Sequence, residues 1–202
     1  RWVEIKVVGL FDERYTLNGM IITLNDITEL KKNEKKLRQM ANYDHLTGLA
    51  NRGFFTDRLH VAITRVKRHG STALMFIDLD KFKQINDTLG HPVGDGVIKT
   101  VAQRLTDTVR AEDSVARLGG DEFAIIFTDV QSTLVLSTIA TKLVDSIQQP
   151  FELEGNFIKI SCSIGIAISE KDNDTAEALL KRADLAVYKA KESGRNQHCF
   201  YD

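Results

Sequence analysis

Three carboxylates stand where strands end. Asp78 closes the apolar run that starts at Ala73, which places its carboxylate at the C-terminal tip of a strand. Asp121 and Glu122 follow Gly119-Gly120 in a tight hairpin turn between two further strands. A fold that brings the three together creates a problem, because like charges about 4 Å apart repel by roughly 4 kcal/mol at an effective dielectric of about 20. A hard divalent cation removes it. Oxygen ligands with no histidine nearby in sequence favour Mg²⁺ or Mn²⁺ over zinc, and two such ions can clamp an in-line phosphoryl displacement. The paired glycines strip the turn of side chains, so a substrate can approach its backbone closely. After Asp78 the segment Lys81-Phe82-Lys83 opens a helix whose free N–H groups and dipole attract phosphate, with Lys83 adding a mobile positive charge. Asp80 is expected to be the N-cap of that helix.

The elements that position these groups alternate. The pattern predicts a helix from Phe54 to Arg68, a buried strand from Ala73 to Leu79, and a helix from Lys81 that breaks at Gly90-His91-Pro92 and resumes from Val93 to Val109. A crossover of that length suits parallel pairing of the flanking strands. Strands follow at Ser114 to Leu118 and Glu122 to Thr128, then a helix from Ser132 to Gln148 and an alternating strand from Phe157 to Ile168. A helix from Ala176 to Ser193 and a short strand from Gln197 to Tyr201 close the chain. The order predicts an α+β fold, with a β-α-β-β-α-β ferredoxin-like core of the palm type used by nucleotide cyclases. Its central sheet is mainly antiparallel and flanked by helices.

Composition limits the alternatives. The 202 residues are 43% hydrophobic and 27% charged, enough for one principal core. Lys plus Arg total 27 against 28 Asp plus Glu, so the net charge of -1 offers no general attraction to nucleic acid or anionic lipid. No apolar run approaches the roughly 20 residues of a membrane helix. Cys162 and Cys199 show no metal spacing and point to a reduced, cytoplasmic setting with buried thiols. None of His45, His60, His69, His91 and His198 shows metal spacing either. The start at Arg1 suggests an excerpt of a longer polypeptide, one that could carry a membrane anchor. Before the core, two strands are expected at Trp2 to Val8 and Tyr15 to Leu24, with turn chemistry at Asp12-Glu13 and Asn18-Gly19. Between Asp26 and Ala41, Ile27, Leu30, Leu37 and Ala41 form a short heptad seam among lysines that read as a solvated face. The expected division is 1–25 terminal strands, 26–41 connecting helix, and 42–202 principal domain.

Gly119-Gly120-Asp121-Glu122-Phe123, preceded by Arg117-Leu118, resembles the signature of the GGDEF diguanylate cyclases. Asp44 to Arg52 resembles that family's opening motif, Asp78 to Asn86 its strand-loop-helix, Gly90 to Asp95 its substrate loop, and Lys191 to Asn196 its closing motif. The resemblance implies condensation of two GTP molecules into cyclic di-GMP with loss of two pyrophosphates. It implies two Mg²⁺ or Mn²⁺ ions per active site on Asp78, Asp121 and the backbone carbonyl of Leu79, with Glu122 and Lys83 beside Asp121 in catalysis. It further implies guanine reading by Asn86 and Asp95, because a carboxylate accepts from the guanine N1–H and exocyclic amine together. Lys83, Lys191 and Arg195 match its triphosphate and transition-state contacts, Gly119 and Gly120 leave room for the substrate phosphates, and Phe82 falls among its substrate-binding residues. Asp95 is retained where a branch making mixed dinucleotides replaces it. Each domain holds one GTP, so the resemblance implies a homodimer. Arg110 and Asp113 match the family's RxxD product-inhibition site for cyclic di-GMP, with Arg110 gripping phosphate. Asn25 to Glu29 resembles the closing edge of a PAS sensory domain. A sensor or phosphodiesterase domain elsewhere in the full chain, and a catalytically silent module binding GTP or cyclic di-GMP, are the further possibilities the resemblance leaves open.

Overall fold

The computed structural model describes residues 1–202 except 12, 16, 67–70, 131, 170–173 and 202. It divides into two compact units, Arg1–Ala41 and Asn42–Asp202. The first unit pairs β1 (Val3–Phe11) with β2 (Leu17–Asp26) in antiparallel register and continues into α1 (Thr28–Asn42). Asn18-Gly19 does not turn the chain as expected. Gly19 lies inside β2 opposite Leu10, beside a bulge, and the connection falls closer to Tyr15, whose φ is 59°. Asp12 and the Arg68 end of the predicted helix lie outside the described residues. Asp26 Oδ1 accepts the Thr28 N–H at 3.0 Å, which satisfies one free donor at the start of α1.

The second unit carries the sheet. Its strands are β3 (Thr72–Asp80), β4 (Ser114–Gly119), β5 (Glu122–Thr128), β8 (Ser161–Ser169) and β9 (Gln197–Phe200), in spatial order β4-β5-β3-β8-β9. All pairs are antiparallel except β8 with β9. The long crossover after β3 therefore does not pair β3 with β4: the two run in the same direction, but β5 returns by the Gly119-Gly120 hairpin and inserts between them. A small separate hairpin, β6 (Phe151–Leu153) with β7 (Asn156–Ile158), precedes β8. The single strand expected from Phe157 to Ile168 is thus two.

β3 is central and covered on both faces, so it reads as a continuous apolar run. Its odd-numbered residues Ala73, Met75, Ile77 and Leu79 join the core beneath α4 (His91–Thr108) and α5 (Thr133–Gln148). Its even-numbered residues Leu74 and Phe76 join a second core with α2 (Arg52–Val66) and α6 (Ala176–Glu192). Gly165 lets α6 lie directly on β8: a Cβ there would sit 2.1 Å from the Ala183 carbonyl oxygen. Ser132 and Thr175 cap α5 and α6 by accepting the Val135 and Ala178 N–H groups, and Lys189 and Lys191 occupy the last turn of α6, where the helix dipole favours cations. Cys162 is buried as expected, whereas Cys199, on an edge strand, is only half-buried. Among the described residues no helix is long and apolar enough to cross a membrane.

Candidate active site

Strand pairing gathers the carboxylates. Asp78 lies opposite Glu122 in the β3–β5 register, and the Leu79 N–H reaches the Asp121 carbonyl at 3.3 Å. The period of two that sends Leu74 and Phe76 toward α6 sends Asp78 the same way, where Lys191 Nζ lies 2.7 Å from Asp78 Oδ2. Burial raises the Asp78 carboxyl above its ordinary range; Lys191 opposes the shift, while Asp121 and Asp80 reinforce it. Burial also raises Glu122, with Arg52 opposing and Asp78, Asp121 and Asp184 adding repulsion. The guanidinium of Arg52 lies 3.2 Å from Glu122 and donates to the Leu118 carbonyl at 3.0 Å.

The hairpin turn is open outside and braced inside. Gly119 and Gly120 have φ of 146° and 51°, and a Cβ on either would meet nothing within 4 Å. Arg117 donates to the Gly120 carbonyl at 3.1 and 2.8 Å, and to Asp44 at 3.2 and 3.3 Å. Burial alone would lift the Asp44 carboxyl, but hydrogen bonds from Thr47 and Arg117 outweigh it and hold it below its ordinary range. Sequence reasoning gave Arg52, Arg117 and Asp44 no separate roles. Their only signal was membership of the opening and hairpin motifs, because an ion pair spanning 73 residues becomes visible only in the fold.

Asn86 sits on the short helix α3 (Phe82–Leu89), and the chain turns at Gly90 into α4. Gly94 lies against Asn86 so closely that a Cβ would be 1.8 Å from Asn86 Oδ1. Asp95 follows on the exposed face of α4, so the two expected guanine readers flank one α3–α4 junction. Lys83 is exposed in the first turn of α3, while the Phe82 side chain is buried in the core and offers only its backbone to a ligand. Asp80 is not the N-cap of α3. That place is taken by Lys81 in a left-handed conformation, without a side-chain cap. Asp80 shares the face of Asp78 and is turned toward β8, where Ser161 and Ser163 donate to it at 2.7 Å each. Arg195 follows α6 in a left-handed turn and lines a cleft of about 550 Å³ with Lys81 and Lys159.

Arg110 and Asp113 lie apart from these groups, before the start of β4. The six residues of β4 separate them from the Gly-Gly turn by roughly 17 Å. Asp113 Oδ2 accepts the Arg110 N–H at 3.0 Å, and both line a cavity of about 230 Å³ with Tyr43, Phe54 and Arg58. Burial raises the Asp113 carboxyl.

Among the described residues no three His, Cys, Asp or Glu side chains could hold a metal by themselves. The donor set nevertheless fits a hard cation of the Mg²⁺ type, which commonly takes one or two protein carboxylates and completes its shell with water and substrate phosphates. Lys191, against Asp78 Oδ2, shows that the position already draws positive charge.

The model of the family described as "Diguanylate cyclase, GGDEF domain" matches residues 41–197. This chain belongs to the GGDEF diguanylate cyclase family. Over 197 residues the chain is 39% identical to the bifunctional diguanylate cyclase/cyclic di-GMP phosphodiesterase MucR of Pseudomonas aeruginosa, covering 97% of this chain and 28% of MucR. The chain therefore spans about a quarter of that relative. The GGDEF domain of TpbB (YfiN) from Pseudomonas aeruginosa superposes with a TM-score of 0.76 at 41% identity, covering 79% of this chain and 94% of that one. The coiled coil and GGDEF domain of DgcB from Caulobacter crescentus, solved with c-di-GMP, superposes with a TM-score of 0.81 at 30% identity, covering 87% and 93%. The GGDEF fold is thus the one observed here: a mostly antiparallel sheet flanked by helices.

Proposed function

We propose that residues 42–202 form a diguanylate cyclase that condenses two GTP molecules into cyclic di-GMP. The observation that carries this reading is the convergence of Asp78, Asp121 and Glu122 at one sheet end beside an open Gly119-Gly120 turn and the Lys191 ammonium. Asp78, Asp121 and the Leu79 carbonyl would hold two Mg²⁺ or Mn²⁺ ions, which supply Lewis acidity at the α-phosphate and neutralise the leaving pyrophosphate. Asn86 and Asp95 orient guanine from the α3–α4 junction. Lys83, Lys191, Arg195 and the backbone at Phe82 hold the triphosphate, and Gly119 and Gly120 give it room. Glu122, whose carboxyl burial raises, is placed to accept the proton of the attacking 3′-hydroxyl. The 3′-oxygen of one GTP bonds to the α-phosphorus of the other and pyrophosphate leaves; a second round closes the ring. Each domain supplies half of the pair, so the working unit is a homodimer, and misalignment by about 1 Å costs on the order of 100-fold in rate.

The other parts fit control of that pairing. The hairpin of residues 1–25 is proposed as the C-terminal edge of a PAS sensor, and the helix of 26–41 as its signalling connector. Arg110 and Asp113 are proposed as the inhibitory site for cyclic di-GMP, a ligand with which the DgcB domain was solved. A cytoplasmic location, with or without a membrane anchor in a longer protein, suits a GTP-consuming domain.

The test is incubation of the chain with GTP and Mg²⁺, beside Asp121→Ala, followed by nucleotide chromatography. Cyclic di-GMP from the parent alone supports the cyclase. GTP binding without product, even after dimerisation through a fused zipper, replaces it with a silent module binding GTP or cyclic di-GMP.

A further inference from the structure

The carboxylate of Asp80 has no part in the chemistry above, yet it is among the most heavily bonded groups in the molecule. Its residue is 7% exposed. Oδ1 accepts the Ser163 hydroxyl at 2.7 Å; Oδ2 accepts the Ser161 hydroxyl at 2.7 Å and the Asn196 backbone N–H at 3.1 Å. No Lys or Arg forms an ion pair with it among the described residues. A buried carboxylate held only by neutral donors is costly to keep and replaceable by an apolar side chain where packing is all that is needed.

The third bond gives it a use. Asn196 is the second of two consecutive residues with left-handed backbone, Arg195 at φ 64° and Asn196 at φ 49°. Asparagine enters that conformation more readily than most side chains, but arginine does not, so the turn needs an external hold. Within the turn, the Arg195 N–H donates to the Ala190 carbonyl at 3.1 Å, which ties it to the end of α6. Asp80 ties it to β3. On that same face of β3, two residues away, Asp78 meets Lys191 of the last turn of α6. Two bonds from one stretch of β3 thus fix the segment Lys191 to Asn196.

We propose that Asp80 is a positioning residue: it clamps the left-handed Arg195–Asn196 turn to β3 and so sets Lys191 and Arg195 toward the nucleotide phosphates. The proposal rests on the reading of Lys191 and Arg195 as phosphate contacts. Alanine at 80 removes the acceptor of the Asn196 N–H, whereas asparagine would keep it by turning its oxygen to Ser161 and Asn196 and its amide to the Ser163 hydroxyl.

The experiment is a double-variant cycle of Asp80→Ala and Arg195→Ala, read as affinity for a non-reacting GTP analogue with Mg²⁺ by titration calorimetry. Amide hydrogen exchange at Asn196 is read on the same proteins. Asp80→Ala is expected to weaken binding about 10-fold and to speed exchange at Asn196. Added to Arg195→Ala it should weaken binding by less than about 3-fold, because Arg195 is already gone and Lys191 is also held by Asp78. A full 10-fold loss on top of Arg195→Ala, or unchanged affinity in a folded Asp80→Ala, overturns the clamp. Should Asp80→Ala fail to fold by circular dichroism, Ser161→Ala, which removes the donor sharing Oδ2 with Asn196, replaces it in the cycle. A smaller loss absorbed by Arg195→Ala is then expected, and an additive loss overturns the proposal. A parent that binds the analogue but makes no cyclic di-GMP refutes the cyclase reading and leaves the affinity cycle intact.

Discussion

Replacing Gly94 by alanine tests the geometry of the guanine end directly. The added Cβ would stand 1.8 Å from Asn86 Oδ1, 2.9 Å from its Cγ and 3.3 Å from Phe82 Cζ. The amide oxygen must retreat by about 1.2 Å to reach even the 3.0 Å limit of real Cβ contacts. Swinging the Asn86 side chain can deliver that, so the fold should survive. Alanine gains about 1 kcal/mol over glycine in a helix interior, against an overpacking cost of about 1–3 kcal/mol, which leaves stability lower by about 0–2 kcal/mol. Ligand affinity should suffer more, because Asn86 leaves the place proposed for it beside the guanine edge. Losing a hydrogen bond while stranding its buried partner costs about 1–3 kcal/mol, or about 5- to 150-fold in Kd for GTP. Calorimetric titration of Gly94→Ala and Asn86→Ala with the non-reacting analogue should give similar weakening, with a melting temperature near the parent's for both. Parent-like GTP affinity in a folded Gly94→Ala would refute the placement of Asn86 at the base.

Gly165→Ala should damage the fold instead, because its Cβ would meet backbone of α6, 2.1 Å from the Ala183 oxygen and 2.4 Å from the Val187 nitrogen. A loss of about 3 kcal/mol should lower the melting temperature by roughly 6–12 °C in a domain of this size, and a calorimetric scan checks it. Lys191→Met should tighten Mn²⁺ binding to the nucleotide-free protein, because the ion no longer displaces an ammonium 2.7 Å from Asp78 Oδ2. The pair is partly exposed, so about 1 kcal/mol, or roughly 5-fold, is expected by electron paramagnetic resonance titration. Burial raises the folded-state pKa of Asp113 above the unfolded 3.8, so its contribution to stability is fully present below that value and is lost as pH rises through the folded pKa. Asp113→Asn, which keeps an acceptor for the Arg110 N–H, should remove that fall; denaturant melts from pH 4 to 7 should show the variant gaining on the parent.

Apart from the β6–β7 hairpin, the sequence by itself determined the order of elements in the second unit, because helix and strand periods, the Gly119-Gly120 turn and the break at Gly90 are local signals. It also exposed Asp78, Asp121 and Glu122, since carboxylates at strand ends and in a glycine turn stand out against apolar runs. Pairing was decided elsewhere. A long crossover after β3 suggested a parallel neighbour, but the hairpin carried β5 into the gap, and only the competition of strands for one edge settles that order. The role of Asp80 was hidden for the same reason. At the mouth of a helix an aspartate reads as a cap by local rule, whereas the β3–β8 register sets Ser161 opposite it and α6 brings Asn196 within hydrogen-bonding reach. The bracing of the turn by Arg117 and Asp44, and the approach of Gly94 to Asn86, were likewise decided in three dimensions. Side-chain spacing along a chain reports which face a residue takes, but a contact between distant segments depends on how whole elements pack, and no local pattern carries that information.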